Sequence, residues 1–69
     1  MTEIKLRDEY IKLGQALKAA GFVKSGAEAK DVVVNGMVKV NGQVETRRGK
    51  KLVDGDLVEY DGKQIRIMG

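Results

Sequence analysis

The sequence contains no cysteine and no histidine among its 69 residues. Their absence excludes disulfides, zinc sites with thiolate or imidazole ligands, and thiol nucleophiles, and it removes the side chain that most often serves as a general base. We therefore expect a protein that is not an enzyme, that holds no cofactor and that takes no small-molecule substrate.

Aromatic residues and long apolar runs are also scarce. The chain has one phenylalanine and two tyrosines, and its longest aliphatic run is Val32 to Val34. So few aromatic rings argue against a platform on which unpaired bases stack. The first ten residues, MTEIKLRDEY, include acidic side chains and no apolar segment, so we expect no signal peptide, no membrane anchor and a cytoplasmic location.

Hydrophobic residues make up 42% of the chain and charged residues 33%, which is typical of a folded protein. A length of 69 residues predicts one small domain, residues 1–69, with a core that only just offsets the entropy of folding. Nothing in the sequence indicates an obligate dimer, so a monomer is expected.

The formal net charge of +3 is unevenly distributed. Residues 1–36 carry six basic residues (Lys or Arg) and five acidic ones (Asp or Glu). Residues 37–51 carry five basic residues and one acidic residue, and residues 52–69 carry two basic and four acidic residues. The positive charge is therefore concentrated in the middle of the chain, within VKVNGQVETRRGKK.

Two helices are predicted in the first half. Apolar residues at positions 13, 16, 17 and 20 follow a helical period, and Gly21 is typical of a helix end, which predicts a helix over residues 13–20. Ser25 and Glu28 form a capping-box pattern, in which each side chain accepts from the other residue's amide, so a second helix should begin at Gly26. It should end at Asn35-Gly36, and the short link between the helices predicts a helix-turn-helix-like pair.

Strand patterns flank the helices. A short strand is expected within residues 3–7, and a β-meander from residue 38 onward, with turns at Asn41-Gly42, VDGD and Asp61-Gly62. For the first hairpin we expect a bulged three-residue loop that pairs Val38 with Val44, because a two-residue turn would place Lys39 beside Val44 on a buried face. The predicted fold is α+β, with two layers, the helix pair packing on a small, mainly antiparallel sheet.

Arg47, Arg48, Lys50 and Lys51 surround Gly49 in a predicted loop with no acidic residue among them. A phosphate backbone would relieve their mutual repulsion, although a solvated loop is an equally good interpretation of the cluster alone. The amides at a helix N-terminus also suit a phosphate oxygen, but helix capping is the more economical role for Ser25.

Four acidic residues near the C-terminus, Asp54, Asp56, Glu59 and Asp61, are more economically interpreted as turn and exposed strand positions than as an active site. The sequence has neither a glycine-rich phosphate loop that opens a helix nor an EF-hand spacing. No metal site is expected.

Four ordered motifs, L-K-x-A-G, S-G-x-E-A-K, V-x-V-N-G and L-x-x-G-D, lie within residues 11–60. Together they resemble the S-four RNA-binding domain, named for small-subunit ribosomal protein four, and especially the small stand-alone bacterial proteins of that type. The resemblance implies binding of structured RNA, and of ribosomal RNA in particular, through the two helices and the adjoining hairpin. It also implies a ribosomal subunit as a partner.

By that resemblance, the RNA-binding residues are cationic or polar side chains of the second helix start, the hairpin and the loop. They are Lys24, Ser25, Lys30, Lys39, Asn41, Arg47, Arg48, Lys50 and Lys51. One position departs from the pattern, since many members have a basic residue where this chain has Gly26.

A second family gives the main alternative. The V-N-G hairpin and the L-x-D-G-D turn also resemble a β-grasp sulfur carrier, and a protein-interaction adaptor could use the same surface. Sulfur carriers act through a C-terminal Gly-Gly, however, and this sequence ends Ile67-Met68-Gly69. The two tandem helices also favour the S-four interpretation.

Overall fold

The computed structural model describes all 69 residues, which form two helices and seven short strands. In chain order these are β1 (Thr2–Lys5), β2 (Ile11–Lys12), α1 (Leu13–Ala19), α2 (Gly26–Val34), β3 (Val38–Val40), β4 (Gln43–Val44), β5 (Lys51–Leu52), β6 (Leu57–Tyr60) and β7 (Lys63–Met68).

Helix α1 ends as the sequence predicts. Gly21 adopts a φ of 76°, a left-handed conformation that costs little without a Cβ. Its amide donates to the carbonyl of Lys18, and the amide of Phe22 donates to that of Leu17, both over 3.0 Å. This pair of bonds is a Schellman motif, which satisfies the last carbonyls of the helix and turns the chain towards α2.

Helix α2 begins at Gly26 as predicted, but only half of its capping box has the predicted partners. The hydroxyl of Ser25 accepts from the Glu28 amide at 3.1 Å. The Glu28 carboxylate accepts from the amide of Lys24, at 2.7 Å, and not from that of Ser25. The Glu28 side chain is long enough to reach one residue beyond the cap, so both bonds still anchor the start of α2.

The strands form two sheets. The larger has the order β1-β7-β6-β3-β4, in which β1 runs parallel to β7 and the other pairs are antiparallel. The smaller consists of β2 and β5 alone. The mainly antiparallel sheet confirms the predicted fold class, whereas the two-residue strands β2 and β5 were not predicted from the sequence.

A core of apolar side chains lies between the helix pair and the sheets. Leu13 and Leu17 of α1 and Val33 of α2 are fully buried, as are Val58 and Ile65 of the large sheet. Leucine, valine and isoleucine fill this space without any buried polar side chain. Neither helix has the length and apolar character that crossing a membrane requires.

The first hairpin differs from the prediction. Lys39 pairs with Val44 and Val40 with Gln43, and Asn41 and Gly42 have φ values of 53° and 83°, which describe a two-residue type I′ turn. The bulged register was wrong because Lys39 and Val44 lie on the solvent face, where Val44 remains 55% exposed. As β4 is a short edge strand, it buries neither of its side chains.

Candidate nucleic-acid interface

The basic loop, residues 47–51, is attached to the first turn of α1. The amide of Leu13 donates to the carbonyl of Lys50 at 2.8 Å, and the amide of Gly14 donates to that of Arg48 at 3.0 Å. The first amides of a helix have no partner inside the helix, so the loop satisfies two of them. These bonds hold the loop beside the helix pair.

Gly14 allows this close approach. A Cβ on Gly14 would lie 2.6 Å from Cγ and 3.1 Å from Cδ of Arg48. Only glycine leaves room for the aliphatic part of the arginine to lie across the helix backbone. The Arg48 stem is thereby fixed against α1 while the residue as a whole stays exposed.

An open cleft of about 340 Å³ lies between α1, the start of α2 and the basic loop, and we call it the interhelix cleft. Its charged lining is entirely cationic and consists of Lys12, Lys18 and Arg48. Small residues form most of the remaining lining, and the polar side chain of Gln15 completes it. These small residues are Gly14, Gly26, Ala29 and Gly49.

Like charges also face one another where the basic loop enters β5. Lys12 of β2 lies directly opposite Lys51 in the antiparallel pair, an arrangement that disfavours the pairing. Lys51 is partly compensated by Tyr10, whose ring centroid lies 4.8 Å from its Nζ atom. A polyanion bound here would relieve the remaining repulsion.

One residue of the loop does have an acidic partner, contrary to the expectation that none would neutralise it. Glu45 accepts from Nε of Arg47 at 3.0 Å and from Nη2 at 3.2 Å. The hydrogen bonds from Arg47 lower the pKa of Glu45, and Glu45 in turn raises the pKa of Arg47. The Arg47 side chain nevertheless remains 72% exposed, so it stays accessible to a ligand.

Lys24, Ser25 and Lys30 are not among the residues that line the interhelix cleft, although they are close in sequence to Gly26, which does line it. Lys24 and Ser25 directly precede Gly26, and Lys30 lies one helical turn after it in α2. All of these side chains are exposed, and the Ser25 hydroxyl is engaged as the helix cap.

Lys39 and Asn41 lie in different surroundings. The cross-strand neighbours of Lys39 are Val44 and Glu59, not the cations of the basic loop. The Asn41 side chain donates to Asp56 at 2.9 Å and accepts from the amide of Leu57 at 2.9 Å. Asn41 therefore connects two turns of the sheet.

The acidic turns hold the backbone, as their interpretation as turn residues predicts. Asp56 accepts from the amide of Val53 at 2.8 Å in addition to the bond from Asn41. Asp54 accepts from the amide of Gly69 at 2.8 Å. These carboxylates stabilise the end of the sheet.

The cleft contains two cations, Lys12 and Lys18, that the sequence analysis did not identify. The signal that could have found them is Gly14, since a glycine in the first turn of a short helix is costly unless something approaches closely. Tyr10 is distant from the basic loop in the sequence. The pairing of β2 with β5 brings it beside Lys51.

Comparison with known proteins identifies a family. The family model for the S4 domain matches residues 4–68, which is nearly the whole chain.

Individual proteins resemble this chain over most of their length. YbcJ of Escherichia coli (strain K12) is 39% identical over 59 residues, which cover 86% of this chain and 84% of YbcJ. The probable ribosome maturation protein RlbA of Bacillus subtilis (strain 168) is 44% identical over 59 residues, which cover 86% of this chain and 83% of RlbA.

The fold is also similar to a solved structure. The solution structure of E. coli YbcJ superimposes with a TM-score of 0.77 at 36% identity, covering all of this chain and 89% of that one. That structure is described as revealing an alfaL motif involved in RNA binding.

Proposed function

The chain belongs to the S4 domain family, and from that premise we propose that it is a non-enzymatic module that binds structured RNA through the face formed by the basic loop and the interhelix cleft. The observation that carries this proposal is the set of cations without an acidic partner around the cleft. Lys12, Lys18 and Arg48 line it, no carboxylate does, and the only ion pair in the structure is that of Arg47.

The structured character of the RNA is supported by the scarcity of rings on this face. Tyr10 is the aromatic residue beside the basic loop, and its ring is covered in part by Lys51. Binding of unpaired bases generally uses several exposed rings. Contacts to phosphates, together with the shape of the helix pair, are better suited to folded RNA.

We further propose that the RNA is ribosomal and that the protein acts in the cytoplasm as a monomeric, single-domain unit. The name of the B. subtilis relative, which refers to ribosome maturation, supports the ribosomal part of the proposal. The proposed RNA-binding residues are Lys12, Lys18, Lys24, Lys30, Arg47, Arg48, Lys50 and Lys51. Ser25 and Asn41 are assigned structural roles because their side chains have partners within the chain. Lys39, which the sequence also predicts as an RNA contact, is left out of this set because its cross-strand neighbours are Val44 and Glu59 and not the cations of the basic loop.

A charge reversal in the basic loop tests this function. The variant Arg47→Glu/Lys50→Glu leaves Arg48 in place against Gly14, so the loop should keep its attachment to α1. Because charge-assisted hydrogen bonds contribute about 1.5–3 kcal/mol each, binding to ribosomal RNA fragments should weaken about a hundredfold or more. Fluorescence anisotropy of labelled fragments measures the change. For the wild type, a plot of log affinity against log salt concentration should have a slope of about −3 or steeper.

The matched control is Lys63→Glu/Arg66→Glu, which changes the net charge equally on β7, away from the loop. It should retain most of the affinity. Equal losses in the two variants would show that only net charge matters and would remove the basic loop from the mechanism. Binding that is insensitive to salt would instead favour a protein partner on this surface.

A further inference from the structure

We propose that the interhelix cleft is a binding site for a single phosphate group of the RNA, separate from the contacts made by the outer side of the basic loop. This inference rests on the proposed function and deepens it, since it assigns Lys12 and Lys18 as phosphate ligands. It also assigns Arg48 to the wall between the two contact areas.

The charges of the cleft indicate an anion. Lys12, Lys18 and Arg48 line one space of about 340 Å³, with no carboxylate in the lining and no acidic group within ion-pair distance of any of them. Lys12 also faces Lys51 across the β2–β5 pair. Bringing these cations together is unfavourable without a negative ligand, and a phosphate would offset the repulsion.

The shape and lining indicate a phosphate and not a base. Ala29 is the only apolar residue of the lining, and no aromatic ring is present, so a base would find no surface on which to stack. Gln15 accepts from the amide of Lys12 through Oε1, at 3.2 Å, which leaves its side-chain nitrogen as a further donor. The glycines of the lining allow a sugar–phosphate backbone to approach closely.

Gly49 connects the cleft with the basic loop. It lines the interhelix cleft with Arg48, and it also lines a second hollow on the surface with Arg47, Lys50 and Lys51. A Cβ on Gly49 would meet nothing within 4 Å, so the surface is open at the residue that the two hollows share. One RNA strand can therefore place successive phosphates on both sides of Arg48.

Titration with inorganic phosphate tests the cleft without RNA. In amide NMR spectra, the signals of Gly14, Gly26 and Gly49 should shift in a saturable manner, while those of Gly55 and Gly62 stay unchanged. The variant Lys12→Gln/Lys18→Gln should lose these shifts. Shifts of equal size in both variant and wild type, or no saturable shift at the three cleft glycines, would overturn the inference.

RNA binding provides a second test, with a bulged RNA hairpin carrying a fluorescent label as the probe. Five phosphates, four contacted by the loop and one held in the cleft, predict a salt slope of about −3.5 to −4.5. In Lys12→Gln/Lys18→Gln the slope should become shallower by about one, because the two lysines bind the same phosphate, and affinity should fall about tenfold. The charge-matched control Lys63→Gln/Arg66→Gln should stay within about twofold of the wild type.

A third test narrows the cleft without changing the net charge of the protein. Gly26→Leu should weaken binding of the hairpin at least about threefold, because a side chain at this position meets no protein atom within 4 Å and projects from the cleft lining. Ala27→Leu, one residue further along α2, is the matched control and should bind like the wild type. Equal affinities for the two variants would count against a ligand in the cleft.

The outcomes distinguish this inference from the proposed function. If Arg47→Glu/Lys50→Glu abolishes binding while Lys12→Gln/Lys18→Gln behaves like its control, the cleft is not a phosphate site and the RNA-binding function stands. If no structured RNA binds, the proposed function fails. The phosphate titration then shows by itself whether the cleft binds phosphate. Hairpins that begin with a 5′-phosphate or with a 5′-hydroxyl show whether the cleft binds a terminal or an internal phosphate of the RNA. If the ligand is the terminal phosphate, the loss of affinity in Lys12→Gln/Lys18→Gln should depend on which 5′ group the hairpin carries.

Discussion

The basic loop and the acidic turn at residues 53–56 are both charged surface segments, but their side chains have different partners. In the acidic turn, Asp56 accepts from Val53 and Asn41, within the chain. In the basic loop, the backbone carbonyls bond to α1 while the charged groups, apart from that of Arg47, have no acidic partner. Charges that are satisfied internally maintain the fold, and charges left unpaired are available to a ligand.

The largest effect expected from this comparison concerns Asp56. The variant Asp56→Ala should lower the free energy of unfolding by about 2 kcal/mol, because it removes a carboxylate that accepts two hydrogen bonds. Urea denaturation measures the loss, and RNA affinity should stay unchanged at temperatures where the variant is folded. Asp31→Ala, an exposed position of α2, is the control and should change stability by less than about 0.5 kcal/mol.

Ser25 provides a second test of the comparison. It directly precedes Gly26 of the cleft lining, but its hydroxyl caps α2. Ser25→Ala should cost about 1 kcal/mol of stability, whereas Ser25→Gly should cost only a few tenths. Both variants should bind RNA with the affinity of the wild type. A loss of affinity in Ser25→Ala that exceeds its loss of stability would make Ser25 an RNA contact as well.

Lys12 should show stability and binding changing in opposite directions. Lys12→Glu places a carboxylate opposite Lys51, which should raise the free energy of unfolding by about 0.5 kcal/mol and weaken RNA binding. Denaturation at low and high salt checks the cause, since screening should remove most of the gain. A destabilised variant would show that the repulsion between the two lysines is negligible.

The smallest effect is expected at Glu45, the one carboxylate paired with the basic loop. Glu45→Gln should strengthen RNA binding about twofold, because it removes a negative charge near the phosphates and releases Arg47. Glu45→Asp, which keeps the charge, is the comparison variant and should not strengthen binding.

The contribution of the Glu45–Arg47 pair to the free energy of unfolding depends on pH. Since hydrogen bonding to Arg47 lowers the pKa of Glu45, the contribution of the pair to stability is complete above the ordinary pKa and is lost as pH falls through the lowered one. An NMR titration of the carboxyl should show the lowered pKa, and Arg47→Gln should return it towards its ordinary value.

Local signals in the sequence predicted much of the fold. The helix ends at Gly21 and at Asn35-Gly36 and the Asp61-Gly62 turn depend on neighbouring residues and were found correctly. The register of the first hairpin was not, because the side of the sheet that faces the helices is decided by tertiary packing. Lys39 and Val44 share the solvent face only in that context.

The candidate site was predicted only in part for the same reason. The four cations around Gly49 form a continuous segment that can be recognised from the sequence. Lys12 and Lys18 join them only because Gly14 accepts the stem of Arg48 and because β2 pairs with β5, contacts between residues that are more than 30 positions apart. Such contacts leave no periodic signal in either segment.

The parallel pairing of β1 with β7 has a consequence for the order of folding. Thr2 pairs with Ile65, and Lys5 with Met68, so β1 cannot pair with β7 until the helices and the strands between them have been synthesised. During translation its backbone remains an open edge that other chains could join. Glu3 and Lys5 carry charges on that edge, which should keep a nascent chain from aggregating while it waits.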